Sequence, residues 1–528
     1  MRFRTISILA IGVGLGASPQ PSAQEAARGA AAKQAIRSPM RCEDLKSIAV
    51  ANTTIAGAEM VAAGAFKPPV PGFPGLVVDY SKMPAFCRVT GSIKPSTDSD
   101  IRFEVWLPAE GWNGKFMQTG NGGAAGAIVY DSLVDPLVRG YAVANTDTGH
   151  QGAGGDFAWA FDHPEKVTDY AYRAVHELTI AGKAITAARY GRPPEKAYWN
   201  GCSTGGRQGL KEAQRFPEDY DAIIAGAPAS NWSPLMSLSI LIQRNIGPEG
   251  LGVDKLGILK EAAIAACDAR DGVKDRVIAD PGKCAFDPAT TQCRNGQTGA
   301  CLSEKDVAAA RRIYAGVVNK AGEVLIPGTG PGSEPLWAAY ASPQFSIGTN
   351  YFRNLVARNP RWDPATFDVD RDLARAEQVD GGAHDAMNPD LSAFIKRGGK
   401  LITYHGTTDG LIPYSNSVNF YRGVAAKLGE DAIKDRVKLY LIPGMDHCFG
   451  GEGAFAIDWL TALEEWVEKG KTPGALPAMH PALTPGPPGA APSPGKAFTR
   501  LACPYPQVAR YKGSGDEADA ASFACVAP

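Results

Sequence analysis

Lys196-Ala197-Tyr198-Trp199-Asn200-Gly201-Cys202-Ser203-Thr204-Gly205-Gly206-Arg207 reads as a short strand that breaks at a glycine-rich turn and continues as a helix. A serine at such a turn must hold a strained backbone angle, and its neighbours two before and two after must carry almost no side chain. Gly201 and Gly205 meet that demand. The N-terminus of the following helix adds positive potential beside the serine oxygen. A purely structural Gly/Ser turn is the competing reading, but the strand-to-helix context favours Ser203 as a nucleophile.

The pattern extends in both directions. Ile101–Leu107, Gly114–Gln118 and Tyr141–Asn145 are rich in β-branched or aromatic residues and end at turn formers. Asp169–Tyr190 has helical spacing and is followed by Gly191. Asp221–Gly226, Leu401–Tyr404 and Val437–Ile442 add short apolar strands. Strands alternating with helices predict a parallel, helix-covered sheet. The rhythm is lost between 229 and 389, a stretch too long for a bare loop, so an inserted subdomain is expected there. The chain thus divides into a first core part over 24–228, an insert over 229–389, and a second core part over 390–528. Thr472–Lys496 is rich in Pro, Gly and Ala and reads as a linker or surface wrap.

A serine nucleophile of this kind requires an acid and then a histidine later in the chain. Of the seven histidines, His150, His163 and His176 precede Ser203, His384 lies in the insert, and His480 in the Pro-rich stretch. His447 stands just after the Val437–Ile442 strand and is the expected base. Asp409 ends His405-Gly406-Thr407-Thr408-Asp409 after another strand and is the expected acid; Asp446 is the weaker rival. His405 suits a supporting role or substrate contact. Gly120-Asn121-Gly122-Gly123 follows a strand and can aim backbone N–H groups at a developing oxyanion. Gly123 and Thr204 are the expected donors, with Gly122 as an alternative. These elements predict an α/β fold of the α/β-hydrolase type.

Bulk properties bound the rest. At 528 residues, more than one structural unit is expected. A net charge of -1 without long runs of one sign indicates neither nucleic-acid nor membrane binding. Arg2, Arg4 and the apolar stretch Ile6–Ala17 read as a secretory signal over 1–23, too short to span a bilayer. A secreted chain, periplasmic or extracellular, with ten cysteines and no Cys-x-x-Cys pair favours disulfides over thiolate metal sites.

Cys202 directly precedes the serine and Cys448 directly follows the histidine. Together with Gly120–Gly123, Gly201–Arg207, His405-Gly406-x-x-Asp409 and the Cys503-Pro504-Tyr505-Pro506 tail, this arrangement resembles the tannase and feruloyl esterase family. That family includes the bacterial mono(2-hydroxyethyl) terephthalate hydrolases. The resemblance implies an α/β-hydrolase core whose insert is a lid, and hydrolysis of small aromatic esters derived from the plant cell wall. Feruloyl esterase activity comes first, ahead of tannase and terephthalate monoesterase activity. It implies substrate contacts at His405, Ile412, Trp337 and Arg353, with Phe345, Tyr351 and Phe352 as further lid candidates. It also implies a structural Ca2+ in the lid, held by Asp268, Asp271 and Asp275 with the carbonyls of Val273 and Val277. Arg276 stands where the family commonly has glycine. Spacing alone leaves the cysteine pairing open. The resemblance implies Cys42–Cys87, Cys202–Cys448, Cys267–Cys284, Cys293–Cys301 and Cys503–Cys525. Cys202–Cys448 also follows from the need to bring Ser203 and His447 together. A non-catalytic binding protein on this scaffold would lack the nucleophile, the base or the glycines, and all are present. A metal-dependent hydrolase is disfavoured, because no histidine stands beside the aspartate cluster.

Overall fold

The computed structural model describes residues 38–70, 78–247, 250–294, 296–297, 299–484 and 493–527. The expected signal at 1–23 lies outside the described residues, as does part of the Pro-rich stretch. Nine strands form the central sheet: β1 (Thr53–Val61), β2 (Phe86–Ile93), β3 (Ile101–Pro108), β4 (Lys115–Thr119), β5 (Ala142–Thr146), β6 (Lys196–Cys202), β7 (Ala222–Gly226), β8 (Lys400–Gly406) and β9 (Val437–Ile442). Their order is β1-β2-β3-β5-β4-β6-β7-β8-β9. The run from β5 to β9 is parallel throughout, while β1, β2 and β3 join antiparallel at one edge.

Period-2 alternation splits each central strand between two cores. Phe116, Trp199, Ile223 and Leu401 pack on one face of the sheet. Met117, Tyr198, Ile224 and Ile402, each one residue along, pack on the other. Full burial of an Ile or Leu side chain contributes about 1.5–3 kcal/mol, so a one-residue slip of any of these strands is strongly disfavoured. β1 and β2 are the strands that pattern reading misses. Gly57 interrupts the first at a register shift, and Gly91 interrupts the second.

Residues between β7 and β8 are not irregular as the sequence suggests. They hold the helices Trp232–Asn245, Leu256–Cys267, Glu304–Ala315 and Val369–Asp380, joined by 3-10 turns, a small strand pair (Val317–Val318 with Val324–Ile326), two short helices and the π-helical stretch Tyr351–Val356. The first is buried on most sides, which erases the 3.6-residue contrast that reveals a surface helix. The third starts at a capping box of Ser303 and Asp306. Their apolar cluster also takes in Ala124, Ala125, Phe157 and Tyr170 from the sheet side. The insert leaves and returns at one place, where the Trp232 N–H donates to Asp385 Oδ1 (2.6 Å) and the Ala386 N–H to the Ser230 carbonyl (2.8 Å).

The helix Thr204–Arg215 is sewn to that junction by its own side chains. Arg207, fully buried, donates to the carbonyls of Ala171 (3.0 Å) and His384 (3.3 Å) and lies over the rings of Tyr170 and Trp232. Lys211 donates to the Asp385 carbonyl and Gln214 to that of Ala386. The stretch expected as a linker carries a strand, Leu476–His480, paired antiparallel with Phe498–Ala502. All ten cysteines form disulfides, in the five pairs that the resemblance implies, with Cα separations of 5.0–6.0 Å. Among the described residues, no helix is long and apolar enough to cross a membrane.

Two glycines provide a test of this packing. A β-carbon on Gly206 would stand 2.2 Å from the Gly226 carbonyl oxygen, whereas one on Gly257, exposed on its helix, meets nothing within 4 Å. Gly206→Ala should destabilise the fold by about 1–3 kcal/mol. Gly257→Ala should stabilise it by about 0.5–1 kcal/mol. Denaturant midpoints of the two variants check the contrast.

Candidate active site

Ser203 sits between the end of β6 and the helix Thr204–Arg215 with φ 64° and ψ −123°. Its N–H donates to the Gly226 carbonyl (3.0 Å), and its own carbonyl accepts from Arg207 (3.1 Å) and Ala229 (3.2 Å). Those three bonds hold an angle that a serine would not adopt unaided. The glycines allow the approach: a β-carbon on Gly201 would fall 2.7 Å from the Gly205 backbone, and one on Gly120 would fall 2.4 Å from the Gly205 Cα.

The glycine loop after β4 is fixed against the same helix. The Gly205 N–H donates to the Asn121 carbonyl (2.8 Å), and Gly123 takes φ 55°. The Gly123 carbonyl accepts from the Thr204 hydroxyl (2.6 Å) and the Tyr170 hydroxyl (2.9 Å). Among the described residues, the N–H groups of Gly122, Gly123 and Thr204 donate to no protein acceptor. Next along, the Ala124 carbonyl accepts from His150 Nε2 (2.7 Å), whose ring stacks on Trp159 at 3.7 Å. Burial pushes the His150 imidazole down to about 4, so it stays neutral and acts as a fixed donor.

On the opposite side, His447 Nδ1 lies 2.7 Å from Asp409 Oδ2. Asp409 is fully buried, and its Oδ1 accepts from the Leu411 (2.8 Å) and Ile412 (2.9 Å) N–H groups. Burial alone would push this carboxyl up, but the charge of His447 and the hydrogen bonds from His405 and His447 hold it well below the usual carboxylate range. Cys202–Cys448, with a Cα separation of 6.0 Å, ties the serine turn to the histidine loop. No hydrogen bond joins Ser203 Oγ to His447 in this structure; catalytic bonds of this type often tighten only with substrate present.

Several expected substrate contacts prove to be interior. His405 is wholly buried, with Nδ1 2.7 Å from Ser417 Oγ and Nε2 2.9 Å from the Ile412 carbonyl and 3.2 Å from Asp409 Oδ2. Its partners on both nitrogens make it a brace for the acid loop. Ile412 is buried in the same loop. Trp337 is also fully buried, donating to Thr329 Oγ1 (2.8 Å) beneath Gly410. Tyr351 and Phe352 are core residues of the insert, whereas Phe345 and Arg353 are half-buried. Tyr170, Ser417 and His150 escaped the sequence reading, because each acts on a partner distant in the chain.

The aspartates of the insert sit on one short loop, with main-chain N–H groups turned towards them. Asp268 Oδ1 accepts from the Asp275 and Arg276 N–H groups, Asp271 Oδ1 from Val273, and Asp275 Oδ1 from Val277. Burial and the like charges of Asp275 and Asp268 push Asp271 up to about 6. Arg276 takes φ 72°, the left-handed region where glycine is favoured. Its side chain turns to Glu261 (2.7 Å) and Glu452 (3.5 Å), away from the aspartates. The hard oxygen donors suit Ca2+. Arg500, however, ion-pairs with Asp275, and the three carboxylates do not converge as tightly as the side chains of His176, Glu212 and Asp219.

Asp446 offers a test that needs no substrate. It is half-buried, accepts from Thr408 Oγ1 (3.0 Å), and is pushed up to about 7 by desolvation. Its folded value lies above its unfolded one, so the stability it confers is present below about pH 4 and lost as pH rises through about 7. The loss is at most about 4 kcal/mol at 1.36 kcal/mol per unit. Asp446→Asn should therefore gain stability over the parent between pH 5 and pH 8, measured by urea unfolding at both.

Comparison with known proteins agrees with this geometry. Residues 87–526 match the family model for tannase and feruloyl esterase. An uncharacterized esterase of Xanthomonas campestris pv. campestris is 36% identical, covering 92% of this chain and 91% of its own. The probable feruloyl esterase B-1 of Aspergillus flavus is 35% identical over 83% of this chain and 86% of its own. Among solved structures, feruloyl esterase B from Aspergillus oryzae superposes with a TM-score of 0.82 at 31% identity, covering 92% of this chain and 99% of that one. With the sheet order, the serine turn and these matches in agreement, the chain belongs to the tannase and feruloyl esterase family and is a carboxylic ester hydrolase of the α/β-hydrolase fold.

Proposed function

We propose that this esterase hydrolyses esters of hydroxycinnamic-type aromatic acids through an acyl-enzyme on Ser203. His447 Nε2 takes the Ser203 proton while Asp409 holds the Nδ1–H and stabilises the imidazolium. The N–H groups of Gly123 and Thr204, with Gly122 beside them, receive the oxyanion. The alcohol leaves with a proton from His447, and water activated by the same imidazole releases the acid. The observation that carries this reading is the junction of the strained Ser203 turn, the Cys202–Cys448 bridge and the His447–Asp409 bond.

The substrate class rests on the relatives named feruloyl esterase B. The insert over 229–389 acts as the lid on this reading, and half-buried Phe345 and Arg353 are its side chains for the acid's ring. Five disulfides favour an oxidising compartment, so we place the protein outside the cytosol. We further propose that Ca2+ binds Asp268, Asp271 and Asp275 with the Val273 and Val277 carbonyls, as a brace for the insert with no part in the chemistry. Arg500 would then share Asp275 with the ion.

Methyl ferulate should be cleaved faster than methyl gallate or mono(2-hydroxyethyl) terephthalate; preference for either of the others would reassign the substrate. Ser203→Ala should lower kcat by about 10,000-fold or more with the fold intact. Asp409→Asn should lose about 1,000-fold or more, while Asp446→Asn keeps most activity. The reverse ranking would move the acid to Asp446. Chelation, and Asp271→Ala, should each lower Tm before activity at low temperature falls. Unchanged melting curves in both would leave those aspartates a plain acidic loop.

A further inference from the structure

The helix Thr204–Arg215 carries a second cluster at its other end. Glu212 lies eight residues beyond Thr204, about 12 Å along the axis at 1.5 Å per residue. Glu212 is 1% exposed, and no hydrogen-bond donor reaches either of its carboxylate oxygens. The Asp219 carboxyl beside it is itself an acceptor when ionised. His176, from the helix Ala174–Tyr190, completes the group, with Nδ1 2.7 Å from Asp219 Oδ2. One ligand atom from each of His176, Glu212 and Asp219 lies within 4.8 Å of the others. Among the described residues this is the one His, Cys, Asp or Glu group that converges so.

Burying a carboxylate without a donor is strongly disfavoured, so something positive must sit with Glu212. Lys183 fills that role only in part. Its charge bears on both carboxylates, but its ammonium donates to the main-chain carbonyl of Asp219 and makes no ion pair with either. Either a proton or a cation remains, and the third member of the group decides between them. One imidazole nitrogen with two carboxylate oxygens is a donor set for borderline transition ions, and poor for Ca2+ or Mg2+.

We propose that His176, Glu212 and Asp219 bind one divalent transition ion of the Zn2+ class, with water completing its shell. Tetrahedral ligation at about 2.0–2.1 Å sets ligand atoms roughly 3.3 Å apart. His176 Nδ1 and Asp219 Oδ2 need only separate by less than about 1 Å from their present distance. The Phe216 ring stacks on His176 at 3.8 Å and 9°, holding the imidazole plane. His176 and Asp219 keep 26% and 13% of their side-chain surface open to solvent, which gives the ion a path in. Bound there, the ion clips together the helices on either side of β6 and the turn before β7. It is independent of the ester chemistry.

The test uses tag-free, full-length protein, stripped with chelator and kept in millimolar Ca2+ so that the insert aspartates are occupied. After loading with excess Zn2+ and gel filtration, elemental analysis should find one Zn2+ per chain in the wild type. Glu212→Gln and His176→Gln should retain none. Zn2+ should raise Tm of the wild type and leave both variants unmoved. Glu212→Gln is neutral and can donate to Asp219, so it should fold and keep wild-type aryl-ester kcat, which separates loss of the ion from loss of structure. Wild-type protein that retains no Zn2+, or Glu212→Gln that retains as much as the parent, would overturn the proposal and leave a proton shared between the two carboxyls.

Discussion

Around Ser203 three stretches of backbone meet with no room for a β-carbon between them. Gly120 lies against Gly205, Gly201 against Gly205, and Gly206 against the Gly226 carbonyl, each too close for any side chain. This contact sets the height of the helix Thr204–Arg215 above the sheet. The helix in turn fixes the glycine loop through the Asn121 and Gly123 carbonyls. Ser203, the N–H groups of the glycine loop and the helix dipole are therefore placed by one packing event. Little else in the site can move without breaking it.

The other half of the site is set by charge. Asp409 is fully buried and Asp446 half-buried on neighbouring loops, and their surroundings drive them apart. Two N–H groups and two imidazoles keep Asp409 ionised. Asp446 has one hydroxyl and is held neutral to about pH 7. Two carboxyls of one type thus receive distinct roles from their environments alone. His405 belongs to this arrangement, since it braces both the carboxylate and the loop that donates to it.

Much of this was readable from the chain. The Ser203 turn, the order of acid and histidine, and the parallel strands each leave a local trace: glycines at fixed offsets, or apolar runs between turn formers. What stayed hidden acts across the fold. Tyr170 reads only as one more apolar position on a helix, and His150 as a histidine in the wrong order. Trp337 and Ile412 look like pocket residues, because an aromatic or aliphatic side chain reads alike whether it faces a ligand or a core. The insert's first helix is buried on most sides and so lacks a polar face to announce it. Glu212 sits in an ordinary helical stretch, and only the arrival of His176 and Asp219 from other segments gives it chemical meaning.

The stitching of the insert to the serine-bearing helix bears on how such enzymes can be recombined. Arg207, Lys211 and Gln214 grip the carbonyls of 384–386, and Trp232 and Ser230 close the junction from the other side. Residues 230–232 and 384–386 belong mechanically to the core, although they are the two ends of the insert. A graft that swaps specificity between relatives should be spliced inside this seam, after Trp232 and before Asp380. Cut outside it, the transplanted cap would arrive with an unmatched anchor, and the buried guanidinium of Arg207 would keep Ala171 and Tyr170 but meet a foreign segment at the place of His384.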